Sequence, residues 1–246
     1  PGTKSATFDL TVSLRSVQVT PATAVPGQAI TLSGDGYTKG GSLAATTGLT
    51  MKAGSVTTTA SVNSAAIDID STGSWTYSTI FPALDDTSGS GVSNTIVFTA
   101  TDDQSLVGVS DTSFARTTKA VTLSPTTINP GEALTVTVAG FTVDSITTDT
   151  TAAEFTVTMR TAAAGGGDAV TLTGTSTFPI NSDGTGTGTV TVPTTVTAGT
   201  RYITVTDNAA TVGGATVDNN NTKEVSVTVP KGVITVSPVS VSTGNS

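Results

Sequence analysis

The chain has 246 residues, roughly a quarter of them Thr, with 26 Gly and only 4% aromatic residues, so small side chains dominate. It contains no His and no Cys, which removes Ser-His-Asp and Cys-His catalysis, Cys/His zinc sites and every disulfide framework. Ten Lys and Arg against eighteen Asp and Glu leave a net charge of -8, which repels nucleic acid and anionic membrane surfaces, and no apolar run is long enough for membrane insertion.

Charged residues make up 11%, yet Val, Ile, Leu and Phe recur in short alternating runs that can cover a core. No window carries good helix formers at 3.6-residue spacing, and β-branched Thr and Val lose rotamer freedom in helices, so the class is all-β. Along the chain, residues 1–13 hold Ala6-Thr-Phe8-Asp-Leu10-Thr-Val12, which aligns with Lys223-Glu-Val225-Ser-Val227-Thr-Val229; they read as the closing strand of a preceding repeat. The first full unit, residues 14–119, predicts strands near 15–20, 28–33, 47–52, 55–61, 65–70, 74–81, 94–101 and 113–119, with turn signals between them.

Its opening, Val17-Gln-Val-Thr-Pro21 followed by Val25-Pro-Gly27-Gln-Ala-Ile-Thr-Leu, returns 104 positions later as Val121-Thr-Leu-Ser-Pro125 and Asn129-Pro-Gly131-Glu-Ala-Leu-Thr-Val. That marks a second unit over residues 120–231. Inside it, Val157-Thr-Met159-Arg160 matches Leu49-Thr-Met51-Lys52, and Arg201-Tyr-Ile-Thr-Val-Thr-Asp207 matches Thr95-Ile-Val-Phe-Thr-Ala-Thr-Asp102, with indels confined to loops. Val233-Ile-Thr-Val-Ser-Pro238 starts a third copy, so residues 232–246 read as the first strand of a following repeat. Both dangling strands call for pairing with a longer chain or with copies of the chain itself. Short alternating strands over about 105 residues are the pattern of immunoglobulin-like Greek-key β-sandwiches, here in tandem with almost no linker at Lys119-Ala-Val-Thr-Leu123. Gly27 and Gly131 are expected to share one turn conformation, and Pro21 and Pro125 to end pairing of the first strand.

The order Ser/Thr-Pro, Pro-Gly-x-x-(Ile/Leu)-Thr-(Leu/Val), Gly36-Tyr37 or Gly140-Phe141, a Gly turn before a strand ending in Pro, and a late Thr-Asp resembles tandem immunoglobulin-like repeats of prokaryotic surface proteins. Such repeats occur in S-layer, sheath and adhesin chains. The resemblance covers nearly the whole chain, implies an extracellular, cell-surface location, and brings no catalytic residues with it.

Among candidate site residues, Asp68, Asp70, Asp102 and Asp103, with Asp111, form the densest acidic set; several carboxylates converging from adjacent loops would suit calcium. Against that, Asp70 begins a tight turn at Ser71-Thr-Gly73, where hydrogen bonding to its own backbone explains it, and Pro179 replaces Asp68 in the second unit. Trp75 and Tyr77 offer either a sugar-stacking platform or inward-facing core residues, and their counterparts Gly186 and Gly188 favour the core. A self-formed isopeptide staple of the kind found in some surface immunoglobulin-like domains would use Lys119, Glu154 or Glu132, and Asn221, but Asn219–Thr222 reads better as a polar hairpin tip. Asn220 heads the single N-glycan sequon, and the many Thr residues are acceptors for further glycans. The acids are not spaced for glycoside hydrolysis, and metal- or carboxylate-dependent chemistry at Asp68, Asp70 and Asp102 is the one enzymatic option left. The expectation is therefore a non-catalytic structural segment of a surface assembly, an S-layer, sheath or filament. The alternative is an adhesin stalk or a carbohydrate-binding module using Trp75 and Tyr77.

Overall fold

The computed structural model describes residues 14–53, 60–81, 95–111, 114–143, 153–208, 211–212, 215–216 and 222–232. The terminal strands expected at 1–13 and beyond Gly232 lie outside these residues, as does Asn220. Among the described residues there are twenty-one strands and no helix. The first eleven are β1 (Ser16–Thr20), β2 (Thr23–Ala24), β3 (Ala29–Asp35), β4 (Ser42–Leu43), β5 (Leu49–Ala53), β6 (Ala60–Ser61), β7 (Ile67–Asp68), β8 (Trp75–Ile80), β9 (Ile96–Thr101), β10 (Val107–Val109) and β11 (Ala115–Arg116). The rest are β12 (Ala120–Ser124), β13 (Ala133–Ala139), β14 (Glu154–Arg160), β15 (Ala169–Val170), β16 (Thr177–Pro179), β17 (Gly186–Thr191), β18 (Gly199–Asp207), β19 (Thr211–Val212), β20 (Ala215–Thr216) and β21 (Thr222–Val229).

In the first unit a sheet of order β1-β3-β8 faces one of order β10-β9-β5-β6; in the second, β12-β13-β17 faces β15-β14-β18-β21. Thus β1, β3 and β8, and likewise β12, β13 and β17, share a sheet against one centred on β5 and β9 or on β14 and β18, which is the immunoglobulin-like arrangement. Alternation of buried and exposed residues along β3, β9, β13 and β14 follows the two-residue side-chain period. It sends Ile30, Leu32, Met51 and Phe98 into one core, and Leu134, Val136, Phe155 and Ile203 into a second.

The register shows how the two copies fill equal space with different residues. Gly34 stands opposite Trp75, and a Cβ on Gly34 would fall 2.5 Å from the indole Nε1. The equivalent pair in the second unit is Val138 opposite Gly186. Bulk sits on β8 in the first unit and on β13 in the second, so each position is occupied once and neither core is overpacked. Likewise Leu32 opposite Tyr77 becomes Val136 opposite Gly188, with the Phe178 ring covering the glycine.

Both Pro-Gly turns have the same shape: φ is 89° at Gly27 and 87° at Gly131, and their amides donate to Phe81 and Val192 carbonyls at 2.8 Å. First-strand pairing stops at Thr20↔Thr31 and Ser124↔Thr135, one residue before Pro21 and Pro125, each of which follows a cis peptide. Two expected strands are shorter than the sequence suggests. The one at 65–70 is reduced to Ile67–Asp68 because Asp70 already belongs to a turn, and the one at 113–119 to Ala115–Arg116. An unexpected strand, β10, takes up part of the closing edge and pairs with β9.

Candidate functional site

Asp70 Oδ1 accepts hydrogen bonds from the Thr72 amide (2.7 Å), the Thr72 hydroxyl (2.6 Å) and the Ser74 amide (3.0 Å), and these hold its carboxyl below the usual range. Asp68 is exposed on β7 opposite Ser42, and Asp103 is exposed with its amide on the Ser42 carbonyl. Asp102 is buried. Its Oδ1 accepts from the Gln104 and Leu106 amides (3.0 and 2.8 Å) and its Oδ2 from the Thr38 amide (3.0 Å). Among the described residues no three acidic side chains form a group able to hold a metal ion. Asp70 and Asp102 direct their oxygens to backbone N–H groups, in Asp70 the turn chemistry that the sequence favours, and Asp68 and Asp103 lie exposed beside Ser42.

Burial pushes the Asp102 carboxyl up, but the hydrogen bonds from Thr38, Leu106 and Gln104 outweigh it, and its pKa lies below the ordinary value. A depressed folded pKa contributes stability that is complete above the unfolded value of about 3.9 and is lost as pH falls through the folded value. Asp102→Asn should accordingly flatten the acid side of the stability profile, measured by denaturant unfolding between neutral pH and pH ~2. Equal acid slopes in both proteins would refute this role.

Asp207 is the counterpart of Asp102, and its Oδ2 accepts the Thr142 amide at 2.9 Å as Asp102 accepts that of Thr38. The Gly-(Tyr/Phe)-Thr and Thr-Asp signatures are thus two halves of one hydrogen bond that ties the exit of β3 to the end of β9, and that of β13 to the end of β18. In the second unit the acid also meets a cation. Lys119 Nζ lies 2.9 Å from Asp207 Oδ2, the side chains 3% and 0% exposed, and 5.7 Å from the centre of the Phe141 ring. Of the staple set, Lys119 is paired with Asp207, Glu132 accepts the Asn129 amide and side-chain N–H at 3.0 Å each, Glu154 opens β14, and Asn221 is outside the described residues.

Trp75 takes the inward position that its counterpart Gly186 favours. Trp75 is 3% exposed and sits edge-on to Tyr37 with ring centres 5.9 Å apart, while Tyr77 packs partly buried against the same core. Burial pushes the Tyr37 hydroxyl up to about 12, so it stays neutral. No stacking face is left at Trp75 for a sugar.

The units meet end to end through the first Pro-Gly turn. The Val143 amide donates to the Pro26 carbonyl at 2.9 Å, Val25 is 1% exposed, and a Cβ on Gly184 would fall 2.8 Å from a Val25 methyl. Gly27 is pressed hardest: a Cβ there would stand 1.7 Å from the Val143 carbonyl oxygen. At the join, a Cβ on Gly140 would stand 2.4 Å from the Thr118 carbonyl oxygen, so the connection itself is packed.

A hollow of about 300 Å³ opens in the second unit, lined by Thr161, Val170, Thr171, Val196, Thr197 and Arg201 among others. Arg201 is 6% exposed, with Nη1 donating to the Thr200 carbonyl and Nη2 to the Thr197 carbonyl and hydroxyl. Sequence reasoning missed it, although the repeat carried the signal: aligned on Asp102 and Asp207, Arg201 stands where the first unit has Ile96, fully buried.

No protein-family model and no curated protein matches the chain. Among solved structures it is similar to a tetra-tandem repeat in the extending region of a large adhesion protein, at 17% identity and a TM-score of 0.27, covering 88% of this chain and 49% of that one. It is also similar to three N-terminal domains of the bacteriophage RB49 highly immunogenic outer capsid protein, at 12% identity and a TM-score of 0.36, covering 88% and 58%. A third is the Escherichia coli adhesin FdeC, at 11% and 0.31, covering 91% and 66%. The chain spans about half to two thirds of the length of these structures. The likeness is one of architecture, and the fold assignment rests on the strand order above.

Proposed function

We propose that the chain is a stiff, non-catalytic spacer in a cell-surface stalk of the adhesin type, built to carry tension from one end to the other. The observation that supports this reading is the pairing of the terminal segments of each unit. Next to the first strand, the chain runs parallel to the last: the Ala115 and Thr117 amides donate to the Ala22 and Ala24 carbonyls at 3.0 and 2.9 Å. In the second unit the Ile128 amide donates to Thr228 and the Thr228 amide to Thr126, both at 2.9 Å. Because the chain enters each unit by its first strand and leaves by its last, pulling on the ends loads these bonds in shear, all at once. An antiparallel pair loaded at one end would open bond by bond. Of the two roles expected from the sequence, the stalk needs only these two units and their junction, whereas a lattice also needs lateral contacts.

Pulling single chains by their termini should give two discrete unfolding events, each releasing roughly 300 Å. Thr117→Pro, which removes one shear-loaded donor, should lower the force of one event and leave the other. Smooth extension at low force, or a Thr117→Pro chain with two unchanged events, would contradict the proposal.

A further inference from the structure

We propose that the hollow beside Arg201 is a binding site for a small carboxylate-bearing sugar, a monosaccharide of the uronic-acid class. The starting point is a charge in the wrong place. An inward position that the first unit fills with fully buried Ile96 holds a guanidinium in the second, 6% exposed. A buried cation is normally paired with an acid, yet among the described residues no carboxylate pairs with Arg201, and the loop Pro193-Thr-Thr-Val-Thr-Ala198 that precedes its strand carries none. The nearest acid in sequence on the facing edge, Asp168, is exposed, with its amide on the Thr161 hydroxyl. Three carbonyl and hydroxyl contacts engage Nη2 and one N–H of Nη1, while Nε is buried with no partner.

The walls narrow the class of ligand. Thr161, Thr171 and Thr197 supply hydroxyls, and Val170 and Val196 supply apolar surface for the C–H face of a ring. A single guanidinium with two of its five N–H donors unused matches a monoanionic carboxylate; a phosphate or sulfate dianion would find no second cation, since Arg201 is the one basic residue among the lining residues. A volume of about 300 Å³ suits one sugar ring.

The test is an amide-resolved NMR titration of the whole chain with glucuronate, with glucose and sulfate as comparators. Saturable shifts should centre on residues 161, 170–171, 195–197 and 201, with a dissociation constant of about a millimolar and at least about tenfold weaker binding of glucose. Arg201→Ile, the residue of the first unit, should fold, melt at a higher temperature than the parent in ligand-free buffer, and lose glucuronate binding by more than about tenfold. Should Ile fill the space poorly, Arg201→Met keeps the stem and must show the same loss. No saturable shift at about 50 mM glucuronate, equal affinity for glucose, equal or tighter binding of sulfate, or unchanged binding by the folded Arg201 variant would each overturn the assignment.

Discussion

Asp207→Ala is expected to destabilise the second unit by about 3–5 kcal/mol. The substitution leaves Lys119 Nζ buried at 3% exposure with its counter-ion gone, and it strips the Thr142 amide of its acceptor. Putting Met at position 119 in the same chain should return part of the loss, because the uncompensated charge, rather than the missing attraction, dominates the cost. The matched substitution in the first unit, Asp102→Ala, should cost less. Arg15, which stands where the second unit has Lys119, is exposed, so only the three amide acceptor contacts go, at about 1–3 kcal/mol. Denaturant unfolding followed at Trp75 reports the first unit alone, since it is the chain's one Trp, and amide exchange separates the second. A loss from Asp207→Ala no greater than that from Asp102→Ala would show that the ion pair carries no such role.

Gly27→Ala and Gly131→Ala should part company although the two glycines share φ to within a few degrees. Both substitutions place an L side chain in the left-handed region, at about 1–2 kcal/mol. At Gly131 the new methyl meets only Thr194 Cγ2 at 3.3 Å, a contact that a small rotation relieves. At Gly27 it would stand 1.7 Å from the Val143 carbonyl oxygen, a backbone atom of the other unit, so the turn and the second unit must separate and the Val143-to-Pro26 hydrogen bond must break. Gly131→Ala should therefore lower the stability of one unit and keep the rod straight. Gly27→Ala should in addition let the units reorient, read as a shorter maximum dimension and a broader profile in small-angle scattering. Equal scattering from the two variants would sink the assignment of Gly27 to the junction.

The repeat made much of this legible in advance, because turn chemistry is local. Pro-Gly at 26–27 and 130–131, and Pro21 and Pro125 after the first strand, act within a few residues of themselves. What stayed hidden depends on partners far along the chain. The Thr-Asp ending could be seen, but not that its carboxylate reaches back 64 or 65 positions to the Thr38 or Thr142 amide. Strand β10 was missed because Gly108 between two valines reads as a break; the glycine is there because a Cβ would stand 2.1 Å from the Tyr37 hydroxyl oxygen. The Asx turn at Asp70 was legible because it is local, and the Asp102 contacts were not, since its carboxylate joins the Gln104 and Leu106 amides of its own loop to the distant Thr38 amide. Trp75 needed only the comparison with Gly186 to be read as core, and the register supplies its complement in Gly34 and Val138.

The most direct test of the stiff two-unit spacer is backbone 15N relaxation of the unmodified chain. If the Val143 amide, Gly27 and the packed Thr118–Gly140 join fix the units together, residues of both sandwiches will fit one elongated rotational diffusion tensor with a shared long axis. Two separate tensors, each with the faster tumbling of an isolated domain of about 105 residues, would contradict it.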